Sequence, residues 1–390
     1  MANPIYAALP TTVFEVMSGL ARQHGAINLG QGFPDEAGPE PIRRFAADAV
    51  LKGYNQYPPM TGLPELREAA ARHYGRFQGL ELDWKSEVTV TSGATEALAC
   101  AFLALIEPGD AVVLFAPTYD SYLPMVRRAG GTARVVRLQP PHWRFDRTML
   151  EAAFSERTRL VVLNNPLNPT ASVCSEDDLA LLAEFCVRFD AAAICDEVWE
   201  QVVFEGARHH PLMGFPGMAG RCVKIGSAGK MFALTGWKVG FMIAAPPLTA
   251  ALAKAHQFLT FTTAPNLQAA VAFGLGNSDG WFESMPADLA RSRDRLARAL
   301  RGEGFAVLES AATYFLNVDL AASGVTEGDK DFCLRAVKAA GVSAIPVSAF
   351  YETDPVTTII RLCFAKRDET LDEGARRLAK AREMSVRRAG

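Results

Sequence analysis

From Glu87 to about Met242, short apolar runs alternate with helical stretches, and this alternation constrains the fold more than any other feature of the chain. Val88–Thr91, the run from Ala111, Thr132–Leu138, Arg159–Leu163, Ala192–Cys195 and Cys222–Ile225 read as strands. Thr95–Ile106, Ser121–Ala129 and Ser175–Phe189 between them read as helices. Strands that are apolar throughout, each followed by a helix, predict an α/β fold with a mainly parallel sheet covered on both faces. Past Met285-Pro286 the pattern changes to a long helix, Ala287–Gly302, then strands near Tyr314–Val318 and Thr358–Cys363, with helices over Lys330–Ala340 and Thr370–Glu383. This predicts a smaller α+β domain. Ahead of the alternation lie a helix over Thr12–Gln23, a glycine- and proline-rich loop at Gly30–Asp35, a helix over Glu40–Lys52, and a helix opened by Pro64 and running to about Phe77. The expected division is an N-terminal arm over 1–40 that joins the small domain, a large domain over 41–285 and a small domain over 286–390.

Composition narrows the function. The 390 residues carry a net charge of −3, so no broad basic field exists for nucleic acid or an acidic membrane. No apolar run approaches the length that spans a bilayer. The 7 cysteines form no C-x-x-C pair and sit mostly in apolar surroundings, which argues against a disulfide framework or a zinc site and for a reducing compartment. Met1-Ala2-Asn3-Pro4 has no basic region followed by an apolar core, so no signal peptide is expected and the cytoplasm is the expected location.

Ligands of parallel α/β sheets bind at the carboxyl ends of the strands. Ser92-Gly93-Ala94-Thr95-Glu96 follows the first strand and opens a helix, where small residues expose backbone N–H groups to an anion. An ordinary cap by Ser92 or Thr95 fits as well. Tyr119, after the second strand, either fills core or stacks on a flat ligand. Asn164-Asn165-Pro166-Leu167-Asn168-Pro169 builds a polar turn, which is structural or presents an amide. Asp196 ends an apolar strand and needs a cation, either from the protein or from a ligand. Ser227-Ala228-Gly229-Lys230 follows the last strand of the series, and a lysine behind small residues is open to a bulky flat carbonyl compound that its amine can hold covalently. Each signal is weak alone, but all five fall just past expected strands.

Together with Asn28-Leu29-Gly30-Gln31-Gly32-Phe33-Pro34-Asp35, Asn55-Gln56-Tyr57, Asp196-Glu197-Val198 and Arg361-Leu362-Cys363-Phe364, these stretches give the chain its family likeness. From about Thr11 to the last helix it resembles the fold-type-I, pyridoxal-phosphate-dependent class I and II aminotransferases, in particular the methionine and kynurenine–glutamine aminotransferase branch. The resemblance implies that Lys230 anchors the cofactor and shuttles a proton, and that Asp196 keeps the cofactor's ring nitrogen protonated. It further implies that Gly93, Ala94, Thr95, Ser227 and Lys238 hold the phosphate, with Tyr57 reaching it from a second subunit of a homodimer. Tyr119 would stack on the ring, Asn168 would bond the ring hydroxyl, Arg361 would fork onto the substrate carboxylate, and Gly32 would offer backbone beside it. Two positions depart from the pattern. Lys238 stands where many relatives have arginine, and Trp199 where tyrosine is usual; an indole donates but cannot accept.

The expected reaction moves an amino group between a neutral or aromatic amino acid (methionine, glutamine, phenylalanine or kynurenine type) and a 2-oxo acid. A cysteine-S-conjugate β-lyase would begin with the same Cα deprotonation. A cofactor-sensing regulator would need a DNA-binding module before the arm. Phe258, Phe261, Thr262 and Thr263 lie where the family builds part of its side-chain pocket, and the lack of arginine among them disfavours dicarboxylic substrates.

Overall fold

The computed structural model describes residues 2–389. At its centre is a seven-stranded sheet. Across it the strands run 88–91, 240–244, 222–227, 192–196, 158–164, 111–116 and 132–137. All lie parallel except Gly240–Ala244, which pairs antiparallel with both of its neighbours. That strand escapes a reading based on alternating helices because it follows Cys222–Ser227 through only a short connection rather than a crossover helix. The expected strands and helices of this region appear within a few residues of their expected ends.

Alternation along the strands divides the core. Val113 and Phe115, or Val161 and Leu163, enter one cluster with helices Pro64–Gln78, Glu176–Arg188 and Pro265–Asn277. Val112 and Leu114, or Leu160 and Val162, enter another with helices Ala94–Leu105, Tyr122–Arg128 and Pro246–Leu259. Period-two geometry sends successive side chains to opposite faces, so strands covered on both sides are apolar throughout. Local signals fix the helix ends: Ser175 and Asp178 form a reciprocal capping box, and Pro64 opens its helix at the first turn.

A second, four-stranded sheet orders 345–346, 359–363, 315–319 and 306–307, with its own apolar cluster. Ile27–Asn28 pairs in parallel with Val342–Ser343, so the N-terminal segment is tied to this part of the chain. The long helix expected from Ala287 instead runs Asp279–Gly302 and carries Pro286 inside it, across the expected 285/286 division. No helix of the described residues is long and apolar enough to cross a membrane.

Candidate active site

The carboxyl edge of the large sheet opens into a cavity of about 370 Å³. Its lining brings together Gly32, Gly93, Ala94, Thr95, Tyr119, Asn168, Asp196, Ser227, Lys230, Lys238 and Arg361, although these come from stretches far apart in the chain. Gly240–Ala244 explains how Lys238 gets there: because this strand runs backwards, its entry end lies at the edge where the parallel strands end.

The helix Ala94–Leu105 begins at Gly93, whose φ of 77° puts it in the left-handed region, and no side chain caps it. The ordinary-cap reading for Ser92 or Thr95 therefore does not hold, and Gly93, Ala94 and Thr95 at this helix start line the cavity. A Cβ on Gly240 would lie 2.7 Å from the Gly93 carbonyl carbon, so two backbones cross here at glycine. Lys238 sits at φ 54° and its Nζ is 3.4 Å from Thr95 Oγ1, placing a cation beside the helix N-terminus.

The polar turn divides its labour. Asn164 also lines the cavity, but its side chain is held within the fold: its amide nitrogen donates to the Asp196 carbonyl at 2.9 Å and its oxygen accepts from Asn168 N at 2.9 Å. Asn168 lines the cavity, and its oxygen accepts from Arg361 Nη1 at 2.7 Å. Arg361 Nη2 donates to the Gly30 carbonyl at 2.7 Å, and its guanidinium lies 3.9 Å from the centre of the Phe315 ring. Nε finds no partner, and among the described residues no carboxylate pairs with Arg361. Burial pulls its pKa down to about 10, so it remains charged at neutral pH. A buried cation with no ion pair among the described residues, and with Asp120 the only carboxylate acting on it from farther off, is suited to a carboxylate ligand in the cavity it lines.

Asp196 Oδ2 accepts from the Tyr122 hydroxyl at 2.5 Å, while the buried Oδ1 has no partner. Burial raises its pKa to about 6, opposed by the Tyr122 and Val198 hydrogen bonds. Among the described residues no lysine or arginine forms an ion pair with Asp196; the charge of Lys230 acts on it only from farther off. Lys230 Nζ donates to the Gly32 carbonyl at 3.2 Å and stands 4.4 Å from the centre of the Trp199 ring. Burial lowers its pKa to about 8, with Arg361 and Lys238 pushing the same way and Cys363 and Asp196 opposing. A near-neutral pKa leaves a useful fraction as nucleophilic amine. The Tyr314 hydroxyl holds the Lys230 carbonyl at 2.9 Å. A Cβ on Gly32 would meet Phe315 at 2.7 Å, so only glycine lets this loop lie so close.

Tyr57 does not line the cavity. It is 80% exposed and meets Phe261 edge-on at 5.4 Å between ring centres. Phe258, at 84% exposure, and Phe261 likewise lie outside the cavity, on this exposed face. Reading the sequence missed Phe14, Phe315, Tyr122 and Tyr314, which reach the site from the arm, the second sheet and a helix. Apolar and aromatic residues give no local signal of such roles.

Pyridoxal phosphate fits these residues. The uncapped helix start with Lys238 suits a phosphate, the orphaned Asp196 Oδ1 suits a protonated ring nitrogen, and the Lys230 amine suits an aldehyde. The family model for aminotransferase class I and II matches residues 24–378. The chain is 44% identical over 380 residues to a probable N-succinyldiaminopimelate aminotransferase of Mycobacterium tuberculosis, covering 95% of this chain and 96% of that protein. It is 42% identical over 370 residues to the methionine aminotransferase of Escherichia coli, with the same coverage. The solved structure of the M. tuberculosis N-succinyldiaminopimelate aminotransferase superposes with a TM-score of 0.95 over 98% of this chain and 100% of that one.

Proposed function

The chain belongs to the class I and II aminotransferases, enzymes that work through pyridoxal phosphate, and within that family we propose that it moves the amino group of a neutral or aromatic amino acid to a 2-oxo acid. The observation that carries the substrate reading is the cavity lining. Its cations are Lys230, Lys238 and Arg361, and the rest of the wall includes Phe14, Leu98, Val198, Trp199 and Phe315. With one lysine assigned to the aldehyde and one to the phosphate, Arg361 is left for a single carboxylate.

The cofactor supplies an aldehyde that joins amines and a ring that takes up electrons from a breaking Cα–H bond. The chain's own groups do the rest. Arg361 forks onto the α-carboxylate and orients Cα over the Lys230 amine. Lys230 Nζ, with its pKa near 8, would take the Cα proton and hold it for return to the far side of the C–N link. Asp196 holds the ring-nitrogen proton through Oδ1 while Tyr122 fixes Oδ2. Gly93, Ala94, Thr95, Ser227 and Lys238 would hold the phosphate, Tyr119 would lie against the ring, and Asn168, whose oxygen is taken by Arg361, would keep its amide N–H for the ring oxygen.

The working form we propose is a cytoplasmic homodimer with Tyr57 of one protomer reaching the other's phosphate. Its exposure outside its own cavity and the seven unpaired thiols support this reading. Residues 1–40 would move with 286–390, as the 27–28 to 342–343 pairing suggests. The test is a panel of amino donors with one 2-oxo acid, read for both transamination and pyruvate release. Methionine, glutamine, phenylalanine or kynurenine leading the panel supports the proposal. N-succinyldiaminopimelate leading it would overturn the substrate class, and stoichiometric pyruvate release from S-conjugates would overturn the reaction.

A further inference from the structure

The first turn of the phosphate-facing helix carries a carboxylate, Glu96, and a buried histidine answers it from another helix. Neither lines the cavity. His256, in Pro246–Leu259, is fully buried. Its Nδ1 is 2.6 Å from Glu96 Oε1 and its Nε2 is 2.9 Å from the Met60 carbonyl oxygen. A peptide carbonyl can only accept. Glu96 accepts as well: Oε2 takes the Ser92 N–H at 2.6 Å and Oε1 takes the Cys100 thiol at 3.2 Å. A neutral imidazole has one N–H and one lone pair, so it would turn a lone pair toward one of two acceptors. Only the imidazolium donates to both.

The charge matters because of where Glu96 sits. A carboxylate in a first helical turn competes with any phosphate for the same dipole and repels it. We propose that His256 is a positioning residue, a buried imidazolium that cancels Glu96 so that Gly93–Thr95 can accept a phosphate dianion, and that it ties the Met60 loop to that helix. The inference rests on the reading that the phosphate lies at Gly93–Thr95. The loop held by Met60 begins near Tyr57, and Ser92 Oγ is also tied to Thr263 Oγ1 at 3.0 Å, so the latch joins the phosphate helix to both sides of the exposed aromatic face.

Burial pulls the His256 pKa down, but the Glu96 hydrogen bond and charge, aided by Met60, hold it above the ordinary value. Cys100, the other titratable group of helix 94–105 against this pair, is kept a thiol by burial and by Glu96. Helix Trp84–Glu87 and strands Val88–Thr91 and Gly240–Ala244, which also pack on Pro246–Leu259, contribute no charge that shifts it. A raised histidine pKa means that the contribution is complete below about pH 6.5 and is lost as pH rises through the folded-state value. Phosphate binding should therefore weaken toward alkaline pH.

The experiment combines nitrogen-15 NMR of the histidine rings in the holoenzyme with equilibrium binding of pyridoxal phosphate and of pyridoxal. In the wild type the His256 ring should read as imidazolium at about pH 7, where an unperturbed histidine is mostly neutral. His256→Gln should weaken pyridoxal phosphate about tenfold at low pH and flatten its pH dependence, while pyridoxal binding hardly changes. Should that variant fail to fold, Glu96→Gln supplies the reading: His256 should titrate at or below its ordinary value and alkaline loss of phosphate affinity should disappear. A neutral wild-type His256 at pH 7, or equal losses for pyridoxal and its phosphate in His256→Gln, would overturn the proposal. Lys238→Ala separates the two layers. If it leaves pyridoxal phosphate affinity unchanged, the placement of the phosphate falls and the inference with it. If it weakens affinity while the His256 and Glu96 variants keep wild-type pH dependence, the counter-ion role alone falls.

Discussion

Two lysines leave the same strand and live in opposite ways. Lys224, inside Cys222–Ser227, is fully buried and donates to both Glu197 and Glu200. Burial lowers its pKa, but the two carboxylates more than offset this and hold it above the usual lysine value. Glu200 is also bonded by Tyr74 at 2.8 Å and Gln78 at 2.6 Å, and Glu197 accepts from Leu212 N at 3.3 Å. Lys230, just past the strand end, forms no ion pair among the described residues and feels Asp196 only at a distance; it faces an aromatic ring, and its pKa is lowered to about 8. One ammonium is locked by its neighbours; the other is pulled toward neutrality by burial, which the more distant charge of Asp196 does not offset. Burial alone therefore does not mark a reactive lysine, and the balance of burial against paired charge decides.

Exchanging the two losses breaks or upholds this contrast. Lys230→Ala should lower kcat for amino transfer by at least about a thousandfold, the scale of losing both anchor and proton shuttle, with the fold intact. Lys224→Met should do the reverse. It leaves two buried carboxylates without their cation, at a cost of about 3–5 kcal/mol of stability. Denaturant unfolding and single-turnover kinetics on both variants check the pair. The contrast fails if Lys224→Met is as stable as wild type or if Lys230→Ala retains turnover. Arg361 belongs with Lys230, a buried cation that no protein carboxylate neutralises. Arg361→Ala should cost about 2–5 kcal/mol in kcat/KM while cofactor absorbance persists. Unchanged kcat/KM for α-carboxylate substrates would show that the guanidinium serves the fold instead.

The sequence told these lysines apart only by neighbourhood. Small residues before Lys230 and its place after a strand singled it out, whereas Lys224 sits in an apolar run and drew no attention. The strand-end rule also located Asp196, Asn168, Tyr119 and the 93–95 helix start, because period and punctuation are local. What stayed hidden depends on partners far along the chain. At Asp196, on a strand end, Tyr122 from a helix takes Oδ2 and Oδ1 is left without a partner. His256 is an imidazolium only because Glu96 and Met60 both offer acceptors. The reversed strand Gly240–Ala244 and the helix running through Pro286 escaped for a similar reason, since tertiary packing there overrides the local pattern.

Trp199 gives the smallest and sharpest test of the contrast. Its ring face, not its N–H edge, is turned to Lys230 Nζ at 4.4 Å, while Tyr314 is farther at 5.8 Å. The indole thus stands in for the carboxylates that hold Lys224, but far more weakly. In cofactor-free protein, limiting reductive methylation read by mass spectrometry should label Lys230 with a midpoint near pH 8 and leave Lys224 untouched. Because the folded value lies below the unfolded one, the folded state binds fewer protons between about pH 8 and 10.5, so stability gains from Lys230 as pH rises through that window; Lys230→Met should lose this gain. Two effects of the indole oppose each other. Its π face favours the ammonium by about 0.5–2 kcal/mol, and its bulk desolvates the amine. Trp199→Leu should lower the midpoint by about half a unit if the π face dominates, since about 1.4 kcal/mol is one pH unit. A rise would show that the ring acts mainly by excluding water. Trp199→Phe should fall between. In the holoenzyme a ring face offers no hydrogen bond, so Asn168→Ala should disturb the pH midpoint of the bound cofactor's absorbance more than Trp199→Phe does. The reverse order would mean that the indole turns its edge once the cofactor is in place, and Lys230 would then lack even this weak partner.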